Sequence, residues 1–227
     1  MTGSAERRYT AVPVELRAGK EGKPAIGGYA AKFNSYSRNL GGFVEIVHPA
    51  FFNKSKGDGW PDVMARYNHD DNMLLGTTGG NTLQLRVDET GLDYEVDLPA
   101  ARADIGELVA RGDVRKSSFA FRTFPGGDEW ATTDQGYPLR TLLSGQLVDV
   151  APVNSPAYLD TTAGLRSLAE KFEAEYEEVR KLAEEDELRK FFVRTDRNGQ
   201  PVVKAKPGLF GPAAATQLLA RRSDPWA

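Results

Sequence analysis

Cysteine occurs nowhere in the 227 residues, and histidine occurs only twice. Without thiols the chain can form no disulfide, hold no thiolate-bound metal and use no cysteine nucleophile. With two imidazoles, histidine-based acid–base chemistry must pass through His48 or His69. No apolar run approaches the roughly 18 residues of a membrane-spanning helix, and the polar start Met1–Arg8 has no apolar segment behind it. A soluble, cytoplasmic protein without a membrane partner is therefore expected. No Gly-rich loop leads from a strand into a helix, so nucleotide binding lacks support. The formal net charge of −3 lacks the concentrated basic surface that phosphate contacts require, and no nucleic-acid partner is expected.

What is present suffices for a core, since 40% of the residues are hydrophobic and 10% aromatic. The length suits one domain of ordinary size with an appendage. Residues 1–8 read as a polar, flexible arm. Strands are expected over Tyr9–Leu16, Ile26–Phe33 and Phe43–Val47, the last followed by a short helix opening at Ala50-Phe51-Phe52. Strand character returns over Asp62–Tyr67 and ends in the polar cluster Asn68-His69-Asp70-Asp71. Leu83, Leu85 and Val87, then Leu92, Tyr94, Val96 and Leu98, alternate with polar residues on either side of Asp88-Glu89-Thr90-Gly91. That pattern predicts a β-hairpin with one buried face. Ile105, Leu108 and Val109 sit at helical spacing ahead of Gly112, a suitable C-terminal cap.

The next strand centres on Ser117-Ser118-Phe119-Ala120-Phe121, residues 124–137 read as a polar loop around Trp130, and strand character resumes over Leu139–Val153. The turn Asn154-Ser155-Pro156-Ala157-Tyr158 closes the β-rich part. Leu165, Leu168, Phe172, Val179 and Leu182, set among Glu and Lys, then predict one long amphipathic helix. The fold class expected is mixed α/β (α+β), mainly antiparallel. The divisions are a β-rich domain over 9–162, a charged amphipathic helix over 163–192 and a flexible tail over 193–227.

Chemistry centres on few side chains. A serine hydroxyl is a poor nucleophile near neutral pH unless a base lies within hydrogen-bond reach, and imidazole is the usual base. His48 precedes a proline and reads as structural; His69, between Asn68 and two aspartates at a strand end, is the base available. Neighbouring strand residues face opposite ways, so Ser117 shares a face with Phe119 and Phe121 while Ser118 shares one with Ala120. If the phenylalanines enter the core, Ser118 points away from it, beside a small residue that leaves room for a substrate. Two ordinary strand serines are the alternative. Asp149, set between Val148 and Val150, is the candidate to orient the imidazole, against the alternative of an outward-facing aspartate. Asp70 and Asp71 offer only a local bond to His69. A metal site using His69 and these aspartates lacks a second well-placed histidine, and no cofactor is expected.

Asn68-His69-Asp70, Ser118-Phe119-Ala120-Phe121 and Leu147-Val148-Asp149-Val150 with Ser155-Pro156-Ala157-Tyr158 occur in a definite order. Together with Gly28–Asn34, Phe43–Phe51 and the hairpin at Asp88, Gly91 and Leu92, they resemble the prohead serine proteases of tailed phages and gene-transfer agents, themselves similar to herpesvirus assemblins. The resemblance spans about residues 10 to 162. It implies Ser118 as nucleophile, His69 as general base and Asp149 as the third member; apart from the resemblance, such chemistry calls for oxyanion donors, for which main-chain N–H groups or Arg122 are the candidates. It also implies a β-barrel flanked by helices, located in the procapsid within the host cytoplasm. Its partners would be the major capsid protein with its scaffolding region, and further copies of itself. Two positions depart from the family pattern: Ala120 stands in place of a glycine, and Pro49-Ala50-Phe51 lacks one. A non-catalytic scaffolding protein that binds through the charged helix is the alternative in a different class.

Overall fold

The computed structural model describes residues 5–154 and 161–193. Residues 1–189 form one unit and 190–227 a second, of which only 190–193 are described. The turn residues 155–158, the tail beyond 193 and the first four residues of the expected arm lie outside the described residues.

The fold is mixed α/β with mainly antiparallel pairing. The strands are β1 (Glu6–Thr10), β2 (Glu15–Ala18), β3 (Pro24–Lys32), β4 (Val44–Val47), β5 (Met64–Arg66), β6 (Leu74–Thr77), β7 (Leu83–Val87), β8 (Gly91–Asp97), β9 (Lys116–Thr123), β10 (Asp128–Thr132), β11 (Pro138–Leu142) and β12 (Gly145–Val153). Among the described residues they make three sheets, ordered β1-β9-β12-β5-β6, β10-β11-β4 and β2-β3-β8-β7. Among the described strand pairs, β11 with β4 and β12 with β5 run parallel and the others antiparallel. The helices are α1 (Asn53–Gly57), α2 (Ala103–Arg111), α3 (Thr162–Phe172) and α4 (Tyr176–Glu184).

The hairpin read from alternation is β7–β8, with Leu83 opposite Val96 and Leu85 opposite Tyr94. Helix α2 ends as expected at Gly112, whose φ of 81° gives the left-handed cap that glycine adopts without steric cost. The core is aromatic at its centre. Phe51, Phe52, Phe119 and Phe121 have no more than 2% exposure, with ring centroids 4.9 to 5.8 Å apart. Each such side chain contributes roughly 1.5–3 kcal/mol through removal from water.

Four expectations are corrected. Glu6–Arg8 of the expected polar arm belong to strand β1, because Glu6 and Arg8 pair with buried charges and β1 lies along β9. The expected strand Tyr9–Leu16 is two strands in different sheets, since Pro13 can donate no ladder hydrogen bond between them. Trp130 lies in a strand rather than a loop: it faces inward from β10, 3% exposed, against Phe43.

The long helix is broken. Glu173, at φ 51°, closes α3, with Ala174 N–H donating to Ala169 O and Glu173 N–H to Glu170 O, the pairing of a Schellman motif. Helix α3 is docked on β10: Trp130 Nε1 donates to Ser167 Oγ at 3.1 Å, and Lys171 Nζ to the Trp130 carbonyl at 2.7 Å.

Candidate active site

Strand β9 lies second in its sheet, between β1 and β12, so that Ser118 has Tyr9 on one side and Ala151 on the other. Phe119 and Phe121 enter the aromatic core, which turns Ser118 and Ala120 to the opposite face. Ser117, on the core face, lies within 3.3 Å of the Tyr94 hydroxyl and is fully buried.

Asp149 reaches the Ser118 face through a bulge. Leu147 pairs with Phe121 but Asp149 pairs with Ala120, so two steps along β12 match one along β9. In a regular strand Leu147 and Asp149 would share a face. The extra residue, Val148, lets Leu147 enter the core while Asp149 emerges beside Ala120, a re-aiming that bulges commonly perform.

His69 arrives from β5 by a tight turn. Asn68 and His69 have φ of 54° and 58°, a left-handed pair of residue types that tolerate that region better than most. Three main-chain bonds close the turn, from Tyr67 N to Met73 O, Asp70 N to Tyr67 O and Met73 N to Asp70 O, each 3.0 to 3.1 Å. Asn68 Oδ1 accepts from Asn154 N at 3.1 Å, tying the turn to the end of β12.

These placements bring three side chains into line. His69 Nδ1 is 2.5 Å from Asp149 Oδ1, and His69 Nε2 is 2.6 Å from Ser118 Oγ. Exposure is 2% for Ser118, 5% for His69 and 1% for Asp149, so the line is shielded from bulk water. With Asp149 ionised its oxygens only accept, so Nδ1 carries the proton and Nε2 offers its lone pair to the serine hydroxyl. The Arg8 carbonyl oxygen is a second acceptor for that hydroxyl, at 2.8 Å.

The other sequence candidates lie elsewhere. His48 Nδ1 accepts from Ala50 N at 3.1 Å and shapes the turn before α1. Asp70 accepts from Asn72 N at 2.8 Å, and exposed Asp71 pairs with Arg66. No group of three or more potential metal ligands occurs among the described residues. Arg122 lines a groove of about 410 Å³ with Arg7, Met64, Arg66, Ala120 and Asp149, on the same face as Ser118.

Two features had no signal in the sequence. One is Arg66, whose Nη1 lies 3.5 Å from Asp149 Oδ2. The other is a buried charge cluster of Glu6, Arg8, Glu45 and Arg140, with Asp128 at its margin. Burial alone would lower the ionisation range of the Arg140 guanidinium; Glu6 and Glu45 more than offset this and hold it above its ordinary value.

The family model for caudovirus prohead serine proteases matches residues 12–176, more than half of the chain. The chain belongs to that family. The match covers β2 through the start of α4 and therefore includes Ser118, His69 and Asp149. Family membership supports a serine-peptidase activity and a role in phage capsid maturation. No curated protein and no solved structure matches the chain.

Proposed function

We propose that this protein is a prohead maturation endopeptidase that works by acyl transfer. Ser118 Oγ attacks the carbonyl carbon of the scissile peptide, and His69 Nε2 takes the hydroxyl proton. The C–N bond then breaks as His69 returns that proton to the leaving amine. Water, deprotonated by the same imidazole, releases the acyl group and restores the serine. Asp149 holds the Nδ1–H tautomer and stabilises the imidazolium formed in each half-reaction. Main-chain N–H groups or Arg122 would stabilise the oxyanion. The observation that carries this reading is the hydrogen-bonded line from Ser118 Oγ through His69 to Asp149, at 2.6 and 2.5 Å.

On this reading the substrate is the scaffolding region of the major capsid protein, together with the protease itself, and the reaction takes place inside the procapsid in the host cytoplasm. The sheets carrying the site would form the assemblin-like β-barrel, residues 9–162 would be the catalytic domain, and copies of the protease would associate. Residues 163–227 would present the enzyme to scaffold, and the segment 195–212, which carries Gly and Pro, is a candidate for self-cleavage.

Co-expression with the neighbouring major capsid protein tests this, with intact mass read for both chains. The wild type should yield a shortened capsid protein and Ser118→Ala should not. Equal fragments from both would remove Ser118 as nucleophile. No fragments from either would favour the non-catalytic scaffolding alternative, and loss of cleavage with chelator would favour a metal-dependent hydrolase.

A further inference from the structure

We infer that Arg66 is a positioning residue for Asp149, holding one carboxylate oxygen while His69 engages the other; this rests on the serine-hydrolase reading above. Asp149 is 1% exposed, and a carboxylate at that depth is costly unless its oxygens have partners. His69 Nδ1 meets Oδ1 at 2.5 Å, and Arg66 Nη1 faces Oδ2 at 3.5 Å. The second distance is that of an ion pair rather than a hydrogen bond, so Arg66 acts on the carboxylate through charge.

The backbone explains why this arginine occupies that place. Strand β5 runs parallel to β12, with Met64 opposite Asp149 and Ala65 opposite Val150. Arg66, two residues beyond Met64, shares its face and leans back along β12 toward the carboxylate. It is also the last residue of the strand before the turn that delivers His69, so one short segment supplies both groups that bracket Asp149. The guanidinium is itself held, because Nη1 pairs with Asp71 Oδ1 at 2.5 Å and Nη2 reaches Met64 Sδ at 3.0 Å. Its side chain is only 14% exposed, whereas Asp71 is 83% exposed.

This arrangement has a chemical consequence. The cation faces Oδ2 and so selects Oδ1 as the oxygen that meets His69 Nδ1–H, while Asp71 holds the guanidinium from its exposed side. The other charged groups lining the groove beside Asp149 are Arg7 from β1, Asp62 ahead of β5 and Arg122 from β9.

The test is the rate of covalent labelling by a fluorophosphonate probe, in which Ser118 Oγ bonds to phosphorus, fluoride leaves and His69 accepts the proton. Arg66→Met should label about tenfold to a hundredfold more slowly, the loss that follows when a catalytic group shifts by about an ångström. Arg66→Lys, which keeps the charge, should recover most of that rate, whereas Arg66→Gln, which keeps a donor without the charge, should stay as slow as Arg66→Met. An Arg66→Met variant that labels at the wild-type rate, or an Arg66→Lys variant as slow as Arg66→Gln at equal folded fraction, would overturn the assignment. A wild type that takes no label at all would overturn the serine-hydrolase reading, and this assignment with it; labelled wild type with unlabelled Ser118→Ala keeps the two failures apart.

Discussion

Arg140 and Glu6 are 134 positions apart in sequence, yet both terminal nitrogens of the arginine donate to the two oxygens of the glutamate, at 2.7 and 3.0 Å. The pair fastens β1 to β11, and Arg8 and Glu45 complete the buried cluster. Removing one member of such a cluster strands the others in a dry interior. Arg140→Met should therefore destabilise the fold by about 3–5 kcal/mol, read as a lowered denaturant midpoint. A loss below about 1 kcal/mol, the range of exposed pairs, would contradict the account of β1 as a clamped strand.

Ser117 should behave differently from its neighbour. Its hydroxyl faces Tyr94 at 3.3 Å on the core side of β9, away from His69. Ser117→Ala should keep peptidase activity per folded molecule while costing about 1–3 kcal/mol, because the buried phenol loses its partner. Loss of activity in a Ser117→Ala variant that folds normally would move the nucleophile to the other serine.

Alkaline pH should weaken the contact between the β10–β11 hairpin and the end of α4. Burial and the hydrogen bond to Asp186, 3.1 Å away, push the Tyr137 phenol up to about 12. A phenol whose folded value is raised above its unfolded value of about 10 contributes stability that is fully present below pH 10 and lost as pH rises to about 12. Thermal midpoints across that window should fall less steeply for Tyr137→Phe than for the wild type. Identical slopes would show that the phenol does not titrate with folding.

Much of the fold was legible because local patterns agreed with their final surroundings. The β7–β8 hairpin alternates cleanly since one of its faces is buried, and α2 carries both helical spacing and its glycine cap. Where context overrode local pattern, the expectation failed. Trp130 sits among glycines and charges that suggest a loop, yet Phe43 and α3 cover it in a strand. The break at Glu173 follows from a left-handed cap adopted by a residue with no particular signature for it.

The candidate site divides in the same way. Ser118 could be preferred over Ser117 from strand parity alone, because two phenylalanines mark the core face. Asp149 could not be placed by parity, since the bulge at Val148 reverses it. Arg66 and the buried cluster depend on pairings between distant strands, which a single arginine or glutamate in sequence does not reveal.

The central claim is that Ser118 is the activated nucleophile, and the most direct measurement is to locate the probe adduct by peptide mass mapping. After fluorophosphonate treatment the adduct should sit on Ser118, persist in Ser117→Ala, and vanish in Ser118→Ala and His69→Ala. An adduct on any other residue, or one that survives loss of the Ser118 hydroxyl, would contradict the account.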